Sequence, residues 1–142
     1  MTLRAWLQER ITPLSLGERG ERAAAKMLRR LGYHVLTTRR RHRYGEIDII
    51  AVDNSTDGRT VVFVEVKTRR SDQLGRPAEA IDATRQARLT RAALAFLKSH
   101  GLLEYASRFD VIEVIWPASA RRPTIRHIRD AFPAVGRGQF YS

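Results

Sequence analysis

The sequence has no cysteine. That excludes a disulfide framework, thiolate zinc sites and cysteine nucleophiles, and it fits a reducing cytoplasm. Histidine is scarce too: His34, His42, His100 and His127 share no spacing, which argues against a histidine metal site. Lysine is rarer still, confined to Lys26, Lys67 and Lys98. Long apolar runs are missing. In the opening MTLRAWLQERITPLSLGER, Arg4, Glu9 and Arg10 interrupt any signal-like core, and no stretch is long enough to span a bilayer, so a cytoplasmic chain is expected. Without export, the match of Asn54, Ser55 and Thr56 to a glycosylation acceptor is accidental.

What the chain does have is positive charge. The formal net charge is +11, and all but three of the 26 basic residues are arginine, which meets phosphate in a planar, bidentate way. A polyanionic partner follows, and RNA, DNA or an anionic membrane would each satisfy it; a basic surface with no dedicated ligand stays open beside them. The 142 residues are expected to form a single domain that buries roughly two thirds of the surface its unfolded chain exposes.

Leu3, Trp6, Leu7 and Ile11 predict a short amphipathic helix within residues 1–15, broken by Pro13. A second helix is expected from about Leu16 to Leu31, capped by Gly32, with Ala24, Met27, Leu28 and Leu31 as its apolar seam. Three strands follow, Tyr33 to Thr38, Glu46 to Val52 and Thr60 to Thr68, and their short connections favour an antiparallel meander. A long helix is expected over about Ala78 to His100, with Leu89, Ala92, Ala93, Phe96 and Leu97 inward and Gly101 at its end. RFDVIEVIW, residues 108–116, reads as a buried strand and TIRHI, residues 124–128, as a shorter one near an edge. The expected architecture is α/β, helices against a mixed central sheet, with a core over about residues 16–128 and an irregular tail over about 131–142.

VFVEVKTRR, residues 62–70, raises the functional question, because it reads as a buried strand yet carries charge. Alternation puts Val61, Phe63, Glu65 and Lys67 on one face, the two charges about 7 Å apart, and Val62, Val64 and Val66 on the other. In the preceding strand Glu46, Asp48, Ile50 and Val52 share a face opposite Ile47, Ile49 and Ala51. Antiparallel pairing would bring Asp48 to Glu65 near Lys67. Glu21 precedes Ala24 and Leu28 on the helix seam and would pack over the same face, so that three carboxylates and one ammonium converge. Hard oxygen ligands of this kind suit Mg²⁺ or Mn²⁺, with phosphate and water completing the shell, and a lysine beside them can orient or deprotonate the attacking water. Hydrolysis of a nucleic-acid backbone is the reaction this set suits. The plainer readings stay open here: a solvated Glu65–Lys67 ion pair, and Glu21 as an ordinary helix-start carboxylate.

These residues resemble a known superfamily. Gly45-Glu46-Ile47-Asp48 followed by Phe63-Val64-Glu65-Val66-Lys67-Thr68-Arg69 is similar to the Asp, Glu-x-Lys core of the PD-(D/E)XK nucleases, which include restriction enzymes and archaeal Holliday junction resolvases. More closely, Gly17-Glu18-x-Gly20-Glu21-x-x-Ala24, GEIDII, VEVKTR and Arg108-Phe109-Asp110 together resemble the bacterial YraN family, over about residues 16–115. The resemblance implies a restriction-endonuclease-like core. It also implies Asp48, Glu65 and the backbone carbonyl of Val66 as metal ligands, Lys67 as the catalytic lysine and Glu21 as the helix carboxylate of the site. There are departures: RRRHR stands where an asparagine commonly precedes GEID, and Arg85 where a lysine sits early in the second helix. Gln86 is similar to a glutamine of some branches, without its companion tyrosine.

The expected activity is Mg²⁺- or Mn²⁺-dependent cleavage of DNA, branched or single-stranded, in repair or recombination. A catalytically silent nucleic-acid-binding module, or an RNA-associated protein, is the alternative. DNA is the expected partner ahead of RNA, no membrane is expected, and a homodimer is left open. Arg39, Arg40, Arg41, Arg43, Arg69, Arg70 and Arg76 are the expected phosphate contacts, against the plainer reading of solvated loops. Asp110 and Glu113 are read as structural, with Arg108 or a sheet-edge arginine as the partner of Asp110. Trp6, Phe140 and Tyr141 are read as core-packing residues or parts of a disordered end, with stacking on bases or docking on a partner copy as the alternatives.

Overall fold

The computed structural model describes residues 2–11, 13–38, 47–56, 58–71 and 81–134. Helix α1 spans Leu3–Ile11 and α2 spans Leu16–Arg30. Strands β1 (His34–Thr38), β2 (Ile49–Thr56) and β3 (Gly58–Arg69) then form the expected antiparallel meander. After β3 come α3 (Ala83–Ser99), β4 (Ala106–Ile115) and β5 (Thr124–Phe132). The sheet order is β1-β2-β3-β4-β5, with β3 and β4 parallel and the other neighbours antiparallel. This is the mixed sheet flanked by helices that the sequence predicts, compatible with a restriction-endonuclease-like core. No helix among the described residues is long and apolar enough to cross a membrane.

Local chemistry sets the helix ends. The Ser15 hydroxyl accepts from Glu18 N–H at 3.1 Å and the Asp82 carboxylate from Arg85 N–H at 2.8 Å, which fixes the starts of α2 and α3. Gly32 and Gly101, at φ 93° and 66°, follow the last helical turns. Each turn closes through paired N–H groups, Gly32 to Arg29 O and Tyr33 to Leu28 O in α2, and Gly101 to Lys98 O and Leu102 to Leu97 O in α3.

Two cores lie on opposite faces of the sheet. α3 sends Leu89, Ala93, Phe96 and Leu97 onto Val61, Phe63, Phe109 and Val111, while α2 sends Ala24, Ala25 and Leu28 onto Ile49, Val62, Val64 and Ile112. Several expectations are corrected. Leu31 is exposed rather than part of the α2 seam, and Ala25 takes the inward place. β2 begins at Ile49, so Asp48 precedes the strand, and Ile47 packs with Ile50 on the α3 side because the alternation breaks between them. β5 runs to Phe132, which is buried and stacked on Phe109 at 4.8 Å, so residues 131 and 132 are strand and not tail. On α1, Leu3, Trp6 and Leu7 are exposed.

A charge network closes the end of the sheet next to the α2 C-terminus. Asp110, fully buried, accepts from Arg108 Nε at 2.9 Å and from Asp130 N–H at 2.9 Å, and His127 Nε2 lies 2.8 Å from its other oxygen. Arg108 also donates to Asp53 at 2.9 Å and to the Tyr33 hydroxyl at 2.7 Å. The structural reading of Arg108 and Asp110 therefore stands. Burial works to raise both carboxyls, but hydrogen bonds outweigh it: Ser55 and Arg108 hold Asp53, and His127 and Arg108 hold Asp110, below the ordinary carboxylate range.

The depressed carboxyls set an acid limit. Their stabilisation is complete above the unfolded-state carboxylate value and is lost as pH falls toward the folded values, so urea midpoints should be flat down to about pH 4 and drop below it. Asp110→Asn should flatten that drop. Close packing gives a second expectation. A Cβ on Gly20 would lie 2.8 Å from Thr68 Cβ, an atom fixed to the β3 backbone, so Gly20→Ala pushes α2 from the sheet. Urea unfolding of that variant should show a loss of about 1–3 kcal/mol despite the better helix former.

Candidate functional site

The site is built on β3 where it leaves the core. Val61 and Phe63 face α3, so the pleat carries Glu65 and then Lys67 onto that face. The β2–β3 register begins with Ile49 opposite Val64, and Asp48 is the residue just before it. Asp48 is 2% exposed, and its Oδ2 accepts from Val66 N–H at 2.7 Å, so the carboxylate continues the ladder where β2 has not yet begun. Asp48 is thus held against β3 at the residue that follows Glu65.

Glu65 is not the partner of Lys67. Arg85, in the first turn of α3, donates to Glu65 Oε2 from Nε at 3.2 Å and from Nη2 at 3.1 Å, with Nη2 also 3.3 Å from Oε1. The Asp82 cap fixes that turn, and Gln86 holds the approach to it by donating to Ile81 O at 2.9 Å. Lys67, half-buried, makes no ion pair with any described residue. The plainer reading of VFVEVKTRR as a Glu65–Lys67 pair is therefore overturned: the buried glutamate takes an arginine from the crossover helix, and the lysine has no ion pair among the described residues.

Glu21 corrects the expected cluster. α2 covers the sheet face of Val62 and Val64, opposite the face that carries Glu65 and Lys67. The half-buried Glu21 instead lines a cavity with Val35, Leu36, Thr37 and Thr38 of β1. Among the described residues no three acidic or histidine side chains come close enough to hold a metal ion. The seam position of Glu21 was readable from the sequence. Which sheet face the seam would cover was not.

Two residues gain a place that the sequence did not give them. Arg85 stood out only as a departure from a family pattern. Glu113, read as structural, sits opposite Lys67 in the parallel β3–β4 register and shares its face, two residues beyond Val111. It is 1% exposed, and neither carboxylate oxygen has a hydrogen bond; Arg126 Nη1, on β5, lies 3.4 Å from Oε1. Lys67 thus stands between acidic neighbours on two strands. Of the expected phosphate contacts, Arg69 and Arg70 follow Lys67 at the end of β3, Arg69 half-buried and Arg70 exposed. Arg39, Arg40, Arg41, Arg43 and Arg76 lie outside the described residues, as do Glu46, Phe140 and Tyr141.

The segments that build this geometry are those shared with other proteins. A family model described as "Uncharacterised protein family UPF0102" matches residues 20–114, from Gly20 on α2 through Val114 on β4. The chain belongs to the UPF0102 family. A UPF0102 protein of Rhodopirellula baltica is 49% identical over 127 residues, 89% of this chain and 75% of that protein. One from Geobacter sulfurreducens is 46% identical over 117 residues, 82% of this chain and 88% of the relative. One from Alkaliphilus metalliredigens is 44% identical over 118 residues, 83% and 97% of the two chains. The UPF0102 match takes in Asp48, Glu65, Lys67, Arg85 and Glu113 and leaves out α1 and β5.

Arg85→Met leaves a buried carboxylate without its guanidinium. Urea unfolding in EDTA should report a loss of about 1–3 kcal/mol, the penalty for stranding a charged acceptor. A loss below about 0.5 kcal/mol would mean that Glu65 does not depend on this arginine.

Proposed function

We propose that the chain is a divalent-metal-dependent nuclease acting on DNA, branched or single-stranded, in cytoplasmic repair or recombination. The observation that carries this reading is the state of Lys67. It stands two residues from Glu65 and one from Val66, whose N–H donates to Asp48, both carboxylates buried, yet it makes no ion pair with any described residue while Glu65 is met by Arg85. A lysine kept only to neutralise the glutamate would be bonded to it. The likeness of GEID and Glu-x-Lys to the PD-(D/E)XK core supports the same assignment.

The donors fit Mg²⁺ or Mn²⁺. Asp48 and Glu65 offer hard oxygens on adjacent strands, the Val66 carbonyl is the third by likeness, and a cation of this kind takes its remaining ligands from water and substrate phosphate. Bound there, such a cation would supply charge stabilisation at the phosphodiester and an activated water. Within the chain, Asp48 holds Val66 in place through its N–H, and Lys67 orients or deprotonates the water or offsets developing charge. Arg85 holds the Glu65 oxygens that a cation needs and must give way to it. Arg69 and Arg70, which follow Lys67 on the chain, would meet backbone phosphates in this reading. Arg85 also favours a second reading, a catalytically silent nucleic-acid-binding module, because Glu65 already has its counter-charge.

Three variants separate these readings. Asp48→Asn and Glu65→Gln should each lower Mn²⁺ affinity by about tenfold or more, measured by calorimetry, and abolish cleavage of a panel of single-stranded, flapped and four-way DNA. Lys67→Met should keep Mn²⁺ affinity within about twofold while the rate falls about 10²–10⁴-fold. Cleavage by Lys67→Met at near the parental rate would remove the lysine from the mechanism. Mn²⁺ binding that ignores both carboxylates would favour the silent module.

A further inference from the structure

A second feature lies on the opposite face of the sheet from Lys67. Between α2 and the β4–β5 connection is an open cavity of about 580 Å³, within the range of small-ligand pockets, roughly 300–1,000 Å³. Six cations line it, Arg19, Arg22, Lys26, Arg30, Arg121 and Arg122, and no carboxylate does so among the described residues. None of the six makes an ion pair with a described residue. Like charges gathered around one opening repel one another, and a bound anion removes that repulsion.

The floor is apolar. Leu14, Met27, Ile125 and the Trp116 indole form it, with the Arg19 guanidinium stacked on the indole at 4.1 Å. Phosphate alone has no use for such a floor. Alternating arginine and apolar or aromatic surface is what an unpaired nucleotide needs, with its phosphate on guanidinium and its base and sugar on the floor. A duplex turns its phosphates outward and keeps its bases stacked, so it would leave the floor unused.

The cavity is joined to the candidate site through backbone. Trp116 N–H donates to Arg69 O at 2.7 Å, and Arg70 Nη1 donates to Trp116 O at 3.2 Å. Arg69 and Arg70 therefore link the end of β3 that follows Lys67 to the indole.

We propose that this cavity binds an unpaired nucleotide of a single-stranded nucleic acid, holding one strand away from the point of cleavage. The proposal rests on the nucleic-acid reading above and names the form of substrate that reading leaves open. It does not require cleavage.

The test is binding of fluorescein-labelled oligothymidylate and of a duplex of equal length to the full chain, in EDTA so that nothing is cut. Arg121→Ala/Arg122→Ala changes two exposed side chains between β4 and β5. It should weaken oligothymidylate binding about tenfold and lower the slope of log affinity against log salt by about 1.4, two single-strand phosphate contacts, with duplex affinity within about twofold. Tryptophan emission should be quenched by oligothymidylate in the parent and not in Trp116→Phe, which keeps an aromatic floor and leaves Trp6 as the control. Unchanged single-strand affinity and slope in the double variant would overturn the cavity while nucleic-acid binding by the parent stands. Failure of the parent to bind either polymer would overturn the cavity and the nucleic-acid reading together. Tighter binding to phosphatidylglycerol vesicles than to oligothymidylate, lost in the same variant, would overturn it in favour of a lipid headgroup.

Discussion

The parallel pairing of β3 with β4 is the constraint on which the rest of the structure depends. The two strands run in register from Thr60 opposite Ala106 to Arg69 opposite Ile115. Parallel neighbours cannot be joined by a tight turn, so the chain must cross the sheet between them, and α3 is that crossing. With α3 on one face, α2 covers the other, and β3 is buried on both sides. That is why Val61 to Glu65 are buried without interruption. It also explains Arg85. The crossover begins above the end of β3, so the first turn of α3 stands over Glu65 and can supply the counter-charge that a buried carboxylate requires.

The two ends of the sheet use buried charge differently. At one end Asp53, Arg108, Asp110, His127 and Tyr33 satisfy one another, and the carboxyls are held ionised by surrounding donors. Such a network fixes geometry and has nothing left over for a ligand. At the other end the charges are incompletely matched. Glu113 is buried without a hydrogen bond, and Lys67 has no ion pair among the described residues. Buried polar groups left in this condition oppose folding, and they concentrate where a structure keeps capacity for another chemical partner. The contrast is the physical reason for placing function beside Lys67 and stability beside Asp110.

The basic surface divides in the same way. Arg108 is spent inside the fold and Arg85 is spent on Glu65. Arg19, Arg22, Arg30, Arg121 and Arg122, which line the cavity beside Trp116, make no ion pair with a described residue. Net charge alone could not separate arginines that hold the protein together from those that face outward. Ion-pair geometry does.

Local pattern was enough for most elements of this protein. Period-2 alternation marked β3, glycines after Leu31 and His100 marked the helix ends, and short connections marked the meander, because each depends on a few neighbouring residues. The antiparallel pairing of β2 with β3 was legible for the same reason, since two strands joined by a short turn have little freedom of register. Three things were decided only by the tertiary structure. The face that α2 covers depends on where the crossover helix lies, so Glu21 ended on the side opposite Glu65. The counter-ion of Glu65 comes from 20 residues away in sequence, through a helix whose position no local signal specifies. Glu113 stands opposite Lys67 only because β4 lies parallel to β3, a register set by packing on both faces of the sheet rather than by any turn. The sequence thus determined which residues carry charge into the sheet, and the long-range pairing of β3 with β4 determined which of those charges would be neutralised and which would stay available.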